Sequence, residues 1–225
     1  MKRSFAFVLL LALLLAACSH ASAPSATPAS LTVTQPASAS HLTVLFQDDF
    51  SNPKSGWDTM REDDAVIEYT NGHYRIWLNY PHTNIWANPG LKFTDTRTEV
   101  DATKVGGPDN NAFGIICRYQ DADHFYFFLI SSDGYYGIGK TNGERQTLLT
   151  NDGNMKYTTA IHKGHATNHL RADCVGTTLA LYVNGQRLAL VEDAEFGEGD
   201  VGLIVGTFDQ PGADIVFDNF AVYQP

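Results

Sequence analysis

From Leu42 to the C-terminus, apolar and polar residues alternate in short runs punctuated by Gly, Asn, Asp and Pro. A period of two is the mark of strands, whose successive side chains point to opposite faces. Three Asn-Gly pairs, at Asn71, Asn142 and Asn184, each separate two alternating segments. Both central residues of a type I′ turn need positive φ, which Asn and Gly adopt cheaply, so each pair predicts a hairpin of antiparallel neighbours. Further strands are predicted over residues 111–120, 123–130, 168–174, 200–206 and 214–223. No stretch of this region sustains a 3.6-residue apolar period. The expected fold class is all-β: a two-sheet antiparallel sandwich with well over seven strands, a number that favours a jelly roll over a minimal immunoglobulin sandwich.

The start of the chain breaks the pattern. Lys2 and Arg3 precede an unbroken apolar run from Phe5 to Ala17, which is short for a permanent membrane span and suits an export signal. Leu15-Ala16-Ala17-Cys18 resembles the lipobox of bacterial lipoproteins, which implies a signal peptide over 1–17 and lipidation of Cys18. The alternative is an ordinary secretory signal that leaves Cys18 unpaired. Residues 19–41 are dominated by Ser, Ala, Thr and Pro and cannot bury enough apolar surface to offset their ordering entropy. The expected organisation is therefore a lipidated cysteine with a flexible tether over 18–41 and one domain over 42–225, held outside the cytoplasm on a bacterial membrane.

Charge narrows the partners. Asp and Glu number 25 against 15 Lys and Arg, a formal net charge of −10, and no basic run follows the signal. Nucleic acid and anionic phospholipid are poor partners for such a surface, so membrane contact is expected through the lipid only. An acidic surface suits neutral polysaccharides or divalent cations, and it also simply keeps an exported protein soluble.

Two end segments, Phe46-Gln47-Asp48-Asp49-Phe50 and Val216 to Tyr223, resemble the opening and closing strands of concanavalin A-like jelly rolls, glycoside hydrolase family 16 among them. The middle, from Gly114 to Arg118 and through Val183-Asn184-Gly185 to Val201-Gly202-Leu203, is similar to the lectin-like domain named for 3-keto-disaccharide hydrolases and to laminin-G-like modules. The family 16 resemblance implies a structural calcium ion held with the help of Asp49 and Asp218, completed by carbonyl and water oxygens. It also implies where catalysis would sit: a strand bearing Glu-x-Asp-x-Glu or Glu-x-Asp-x-x-Glu, with nucleophile and acid on one face. This chain has no such run. Glu62-Asp63-Asp64 with Glu68 has the wrong spacing and reads as a solvated loop.

Other constellations are weaker. His162, His165 and His169 are candidate metal ligands, but the segment reads better as a solvated loop leading into a strand. No Gly-x-Ser-x-Gly or Walker-type loop is present. If Cys18 is lipidated, Cys117 and Cys174 remain, each alternating with core-type residues, and a disulfide between them is expected, with two buried free thiols as the alternative. On the strand 111–120, Phe113, Ile115, Cys117 and Tyr119 are read as facing the core, and Ala112, Gly114, Ile116 and Arg118 as facing a concave ligand surface. Arg118 as donor, with Tyr126, Trp77 and Trp86 as stacking rings, is the candidate carbohydrate site. Each ring taken singly is better explained by the core, and Arg118 about equally well by an acidic partner. The function expected is binding of a glycan or other envelope polymer without cleavage. A hydrolase of the 3-keto-disaccharide type and a purely structural lipoprotein are the alternatives.

Overall fold

A computed structural model describes residues 42–143 and 145–225. The signal peptide, Cys18 and the tether lie outside the described residues. Sixteen strands occur among the described residues. The first eight are β1 (Val44–Asp48), β2 (Met60–Arg61), β3 (Ala65–Thr70), β4 (His73–Leu78), β5 (Asn84–Ala87), β6 (Thr96–Gly106), β7 (Asn111–Asp121) and β8 (His124–Ile130). They are followed by β9 (Tyr135–Asn142), β10 (Arg145–Leu148), β11 (Lys156–Tyr157), β12 (Thr167–Val175), β13 (Thr178–Val183), β14 (Gln186–Glu192), β15 (Asp200–Thr207) and β16 (Ala213–Tyr223). The helical content of these residues is a single short 3-10 turn at Asn151–Gly153.

The strands form two antiparallel sheets. Sheet I runs β14-β13-β12-β6-β16-β4-β3-β2, with β1 on β16; sheet II runs β10-β9-β8-β7-β15-β5, with β11 on β9. The opening and closing segments are therefore neighbours, with Asp48 opposite Phe220. Two of the Asn-Gly pairs form two-residue hairpin loops: Asn71 and Gly72 have φ of 52° and 78°, Asn184 and Gly185 51° and 81°, and the flanking residues pair as Thr70 with His73 and Val183 with Gln186. The third hairpin closes one residue later than expected, because Asn142 itself pairs with Arg145 and the turn begins at Gly143.

The core lies between the sheets. Tyr74, Ile76 and Leu78 of β4, Val100 and Ala102 of β6, and Ile215 and Phe217 of β16 enter it from sheet I. Phe113 and Ile115 of β7, Tyr126, Phe128 and Ile130 of β8, and Leu203 and Val205 of β15 enter from sheet II. At one end Phe50, Trp57, Tyr74 and Phe220 pack ring on ring, Phe50 stacked on Tyr74 at 5.1 Å and Trp57 edge-on to Phe220 at 4.8 Å. Phe50 and Phe220 of the end segments are thus core anchors.

Cys117 of β7 and Cys174 of β12 are joined by a disulfide across this core, with Cα atoms 6.8 Å apart. The bond ties sheet II to sheet I and closes a loop spanning 57 residues of separation, which in the chain-entropy description stabilises the fold by about 4 kcal/mol. Urea unfolding of the oxidised and the reduced protein is expected to differ by roughly that amount. Superimposable curves would remove the crosslink from the account of stability.

Candidate functional site

The two outward faces of the sandwich differ in kind. On sheet I the outward residues engage one another. Arg75 forms a two-pronged pair with Asp214, both contacts at 2.8 Å, and also reaches Glu68. His169 lies between Asp101 at 2.8 Å and Glu99 at 3.6 Å, Arg97 pairs with Glu99, and Arg171 pairs with Asp173 while covering the Tyr182 ring at 4.2 Å. The charges of this face are matched among themselves, and a cavity of about 150 Å³ lies among Arg97, Glu99, His169, Arg171 and Tyr182.

Sheet II presents the opposite character. Ala112 and Ile116 of β7, Phe125, Phe127 and Leu129 of β8, and Ile204 of β15 form a second apolar cluster on its outward face, flanked by half-buried Trp86, Tyr119, Leu148, Met155 and Phe208. Trp86 and Tyr119 both rest against Phe125, at 5.2 and 5.6 Å between ring centres. Gly139 leaves the space that the Phe127 ring fills, since a Cβ there would stand 2.4 Å from it. Asn84 of edge strand β5 donates to Gln146 of edge strand β10 at 3.0 Å. With four strands between them, these edges would stand about 24 Å apart in a flat sheet. Sheet II therefore curls over its outward face into a groove whose apolar floor is itself buried, with Trp86 and Tyr119 half-buried at its margins.

The four residues expected to form a ligand site are not brought together. Trp86 is in this groove. Trp77, alternating with Ile76 and Leu78, is on the outward face of sheet I. Tyr126 is fully buried because it pairs with Cys117 and so shares the core face. Both faces of β8 are apolar, so alternation alone did not reveal which one pointed inward. Arg118 falls on a β-bulge with φ of 52° and is 3% exposed. The extra residue shifts the phase of β7, carrying Tyr119 to the outward groove instead of the core. Gly114 does not clear room for a sugar: a Cβ there would lie 1.8 Å from the Phe128 carbonyl oxygen, so the backbone itself requires glycine.

Arg118 and Tyr126 instead hold the segment 193–199 against the end of sheet II. Arg118 donates to the carbonyls of Phe196 (2.8 Å) and Thr94 (3.3 Å) and to Asp95 (3.2 Å). The Tyr126 hydroxyl donates to Asp193 at 2.6 Å and accepts the N–H groups of Glu195 and Phe196. Burial, with Asp193 alongside, pushes this hydroxyl up to about 12. Lys140 completes the cluster with contacts to Asp193 and Glu195, both at 2.5 Å.

The candidate histidines do not gather into a metal site. His162 bonds the Thr167 carbonyl while His169 sits in the salt-bridged face of sheet I, and no group of three His, Cys, Asp or Glu side chains suited to a metal occurs among the described residues. Glu62-Asp63-Asp64 is an exposed turn, with Glu68 held by Arg61 and Arg75. Asp49 accepts from the N–H and hydroxyl of Ser51, and Asp218 lies 3.3 Å from His73. The unpartnered acidic oxygen is on their neighbour: Asp48 is 8% exposed, its Oδ1 accepts the Phe50 N–H, and its Oδ2 has no partner. It lines a cleft of about 410 Å³ with Gln47, Asp49 and Asn219.

No protein-family profile matches the chain, and no curated protein matches it in sequence. Its fold is another matter. A carbohydrate-binding module, CBM66 from Bacillus subtilis, superposes with a TM-score of 0.62 at 18% identity over 75% of this chain and 96% of the module. A Bacillus subtilis protein with a galectin-like fold gives 0.59 at 11% identity over 81% and 96%. The catalytic domain of an endo-1,3-β-glucanase (laminarinase) from Thermotoga petrophila gives 0.55 at 10% identity over 81% and 98%. The chain has the jelly-roll fold of carbohydrate-binding and glycosyl-hydrolase domains.

The salt-bridged face makes stability depend on pH. The carboxylates of Glu99 and Asp101 beside it raise His169 to about 9, while His169 and Arg97 hold Glu99 down to about 2. The histidine's contribution is complete below its unfolded value near 6.5 and is lost as pH rises through 9; the glutamate's is complete above about 4.5 and is lost as pH falls toward 2. Solvent screening keeps both small. Between pH 6.5 and 9.5 the melting temperature is expected to fall further for the native protein than for His169→Gln. Parallel profiles would show that the pair does not contribute.

Proposed function

We propose that the domain binds carbohydrate in the outward groove of sheet II and does not cleave it. The observation that carries this reading is the pair of half-buried rings, Trp86 and Tyr119, on the Phe125 floor of a curled sheet. Flat apolar rings flanked by a few polar groups are what the apolar faces of sugar rings require. The acidic residues at the rim are otherwise engaged: Glu198 pairs with Lys92 at 2.6 Å, and Asp200 accepts from the N–H groups of Gly90 and Val201. The resemblance in fold to a carbohydrate-binding module supports the same reading.

Affinity electrophoresis through dextran, laminarin and xylan tests it. At least one polymer is expected to retard the protein, and Trp86→Ala to weaken that binding about tenfold, or about 1.4 kcal/mol. Release of reducing ends, abolished in Asp200→Asn, would replace binding with hydrolysis; burial does hold the Asp200 carboxyl above its ordinary value.

Two further parts belong to this reading. The lipobox-like start and the tether would display the domain on a bacterial membrane, and a disulfide across the core suits an oxidising compartment. A structural calcium ion would take Asp48 Oδ2 as a ligand, with carbonyl and water oxygens completing its shell. Calcium is expected to raise the melting temperature by several degrees over a chelator control, and Asp48→Asn to remove that rise. Identical melting with and without calcium would end the proposal.

A further inference from the structure

We infer that Tyr135, Tyr157 and Lys163 form a second sugar-binding platform on the same face, built for a neutral hexose unit of a glycan. The inference rests on the carbohydrate reading and extends it to residues at the far rim of sheet II. Tyr135 alternates with the core residues Tyr136 and Ile138, so its ring is on the outward side of β9; Tyr157 is its partner on β11. The two rings are 41% and 47% exposed, 5.6 Å apart between centres and inclined at 70°. Exposed tyrosines are individually unremarkable, but two set against each other at the margin of an aromatic groove present a two-sided apolar corner.

The corner is held by backbone. Ser131 N–H donates to the Tyr135 carbonyl, Thr158 N–H to that of Gly134, and Gly164 N–H to that of Ser132, all at 2.8–2.9 Å. Gly134 has φ of 105°, and a Cβ on it would fall 2.8 Å from the Tyr157 ring and 3.3 Å from the Lys163 side chain. A bare turn is therefore what admits both groups. Lys163 Nζ is 5.2 Å from the Tyr157 ring centre and donates to its hydroxyl at 3.3 Å. Lys92, Lys104 and Lys140 all have carboxylate partners; Lys163 has none within 4.0 Å among the described residues. Its ammonium keeps donors for sugar hydroxyls beside the rings, as do the two phenols.

The charge of the chain selects the ligand class. At −10 overall it repels polyanions, and one ammonium does not reverse that field, so a neutral glycan fits and a uronate polymer does not. Strands β15, β7 and β8 lie between Trp86 on β5 and Tyr135 on β9, about 19 Å in a flat sheet and less in a curled one. A glycan chain that passes the Asn84–Gln146 contact would meet both rims, and its second contact would gain from the first.

The test is affinity electrophoresis of the purified chain and its variants through dextran, laminarin, xylan and polygalacturonate. On the neutral polymer that retards the native protein, Tyr157→Ala is expected to weaken binding about tenfold and Lys163→Ala about threefold. Tyr157→Phe, which keeps the ring, should retain most of the binding, and Tyr80→Ala, an exposed tyrosine outside the platform, all of it. Melting temperatures confirm that each variant is folded. Unchanged binding in Tyr157→Ala and Lys163→Ala, with loss in Trp86→Ala, overturns the platform and leaves the groove. Retardation by polygalacturonate in preference to the neutral polymers overturns the ligand class. Retardation by none of the four removes groove and platform together.

Discussion

The apolar layer between the two sheets positions everything the surface does, and Cys117–Cys174 crosses it as a covalent tie. Each sheet turns one face inward, and burial of those faces sets the register of every strand, because a slip of one residue would exchange inside for outside. Tyr74 and Phe217 from sheet I and Phe113 and Phe128 from sheet II have essentially no exposed surface. Once these are placed, the outward residues have no freedom of choice. Trp86 faces out because Ile85 and Ala87 face in.

From that constraint follow two outward faces of different chemistry. Sheet I satisfies its charges internally, Arg75 with Asp214 and His169 with Glu99 and Asp101. Sheet II carries a second apolar layer that its own curvature and β10 partly cover. The sandwich thus turns one sheet with matched charges and one aromatic, curved sheet to its surroundings.

The bulge at Arg118 joins these two layers to the loops. By inserting one residue, it frees a guanidinium to bind carbonyls at the end of the sandwich and moves Tyr119 to the groove. Tyr126 contributes from the core side, its hydroxyl meeting Asp193 and two backbone N–H groups. A buried phenol and a buried guanidinium are stable there because each polar atom finds a partner. The loop they secure ends at Gly199, whose φ of 155° and close approach to the Arg118 and Tyr119 backbone leave no room for a side chain.

Much of the fold was legible from the sequence, because strand period, Asn-Gly turns and the end segments are local signals. The all-β sandwich, the hairpins at Asn71 and Asn184 and the core-facing cysteines follow from such signals, since they depend on a residue and its near neighbours. The candidate site did not follow in the same way. Strand β8 is apolar on both faces, so nothing in its own residues told Tyr126 from Phe125; pairing with Cys117 decided it. The bulge at Arg118 has no sequence mark, and Trp86, in a segment over 83–90 that reads as a loop, gains its place only when Asn84–Ala87 pairs as an edge strand with β15. The outward setting of Tyr135 and its meeting with Tyr157, across an intervening hairpin and turn, were decided by strand pairing. Sequence determined most of the segments that became strands, though not β6 within sheet I or β5 at the edge of sheet II; the sheet that each strand joined, and the face that each residue then showed, were decided by long-range pairing and by burial of the common core.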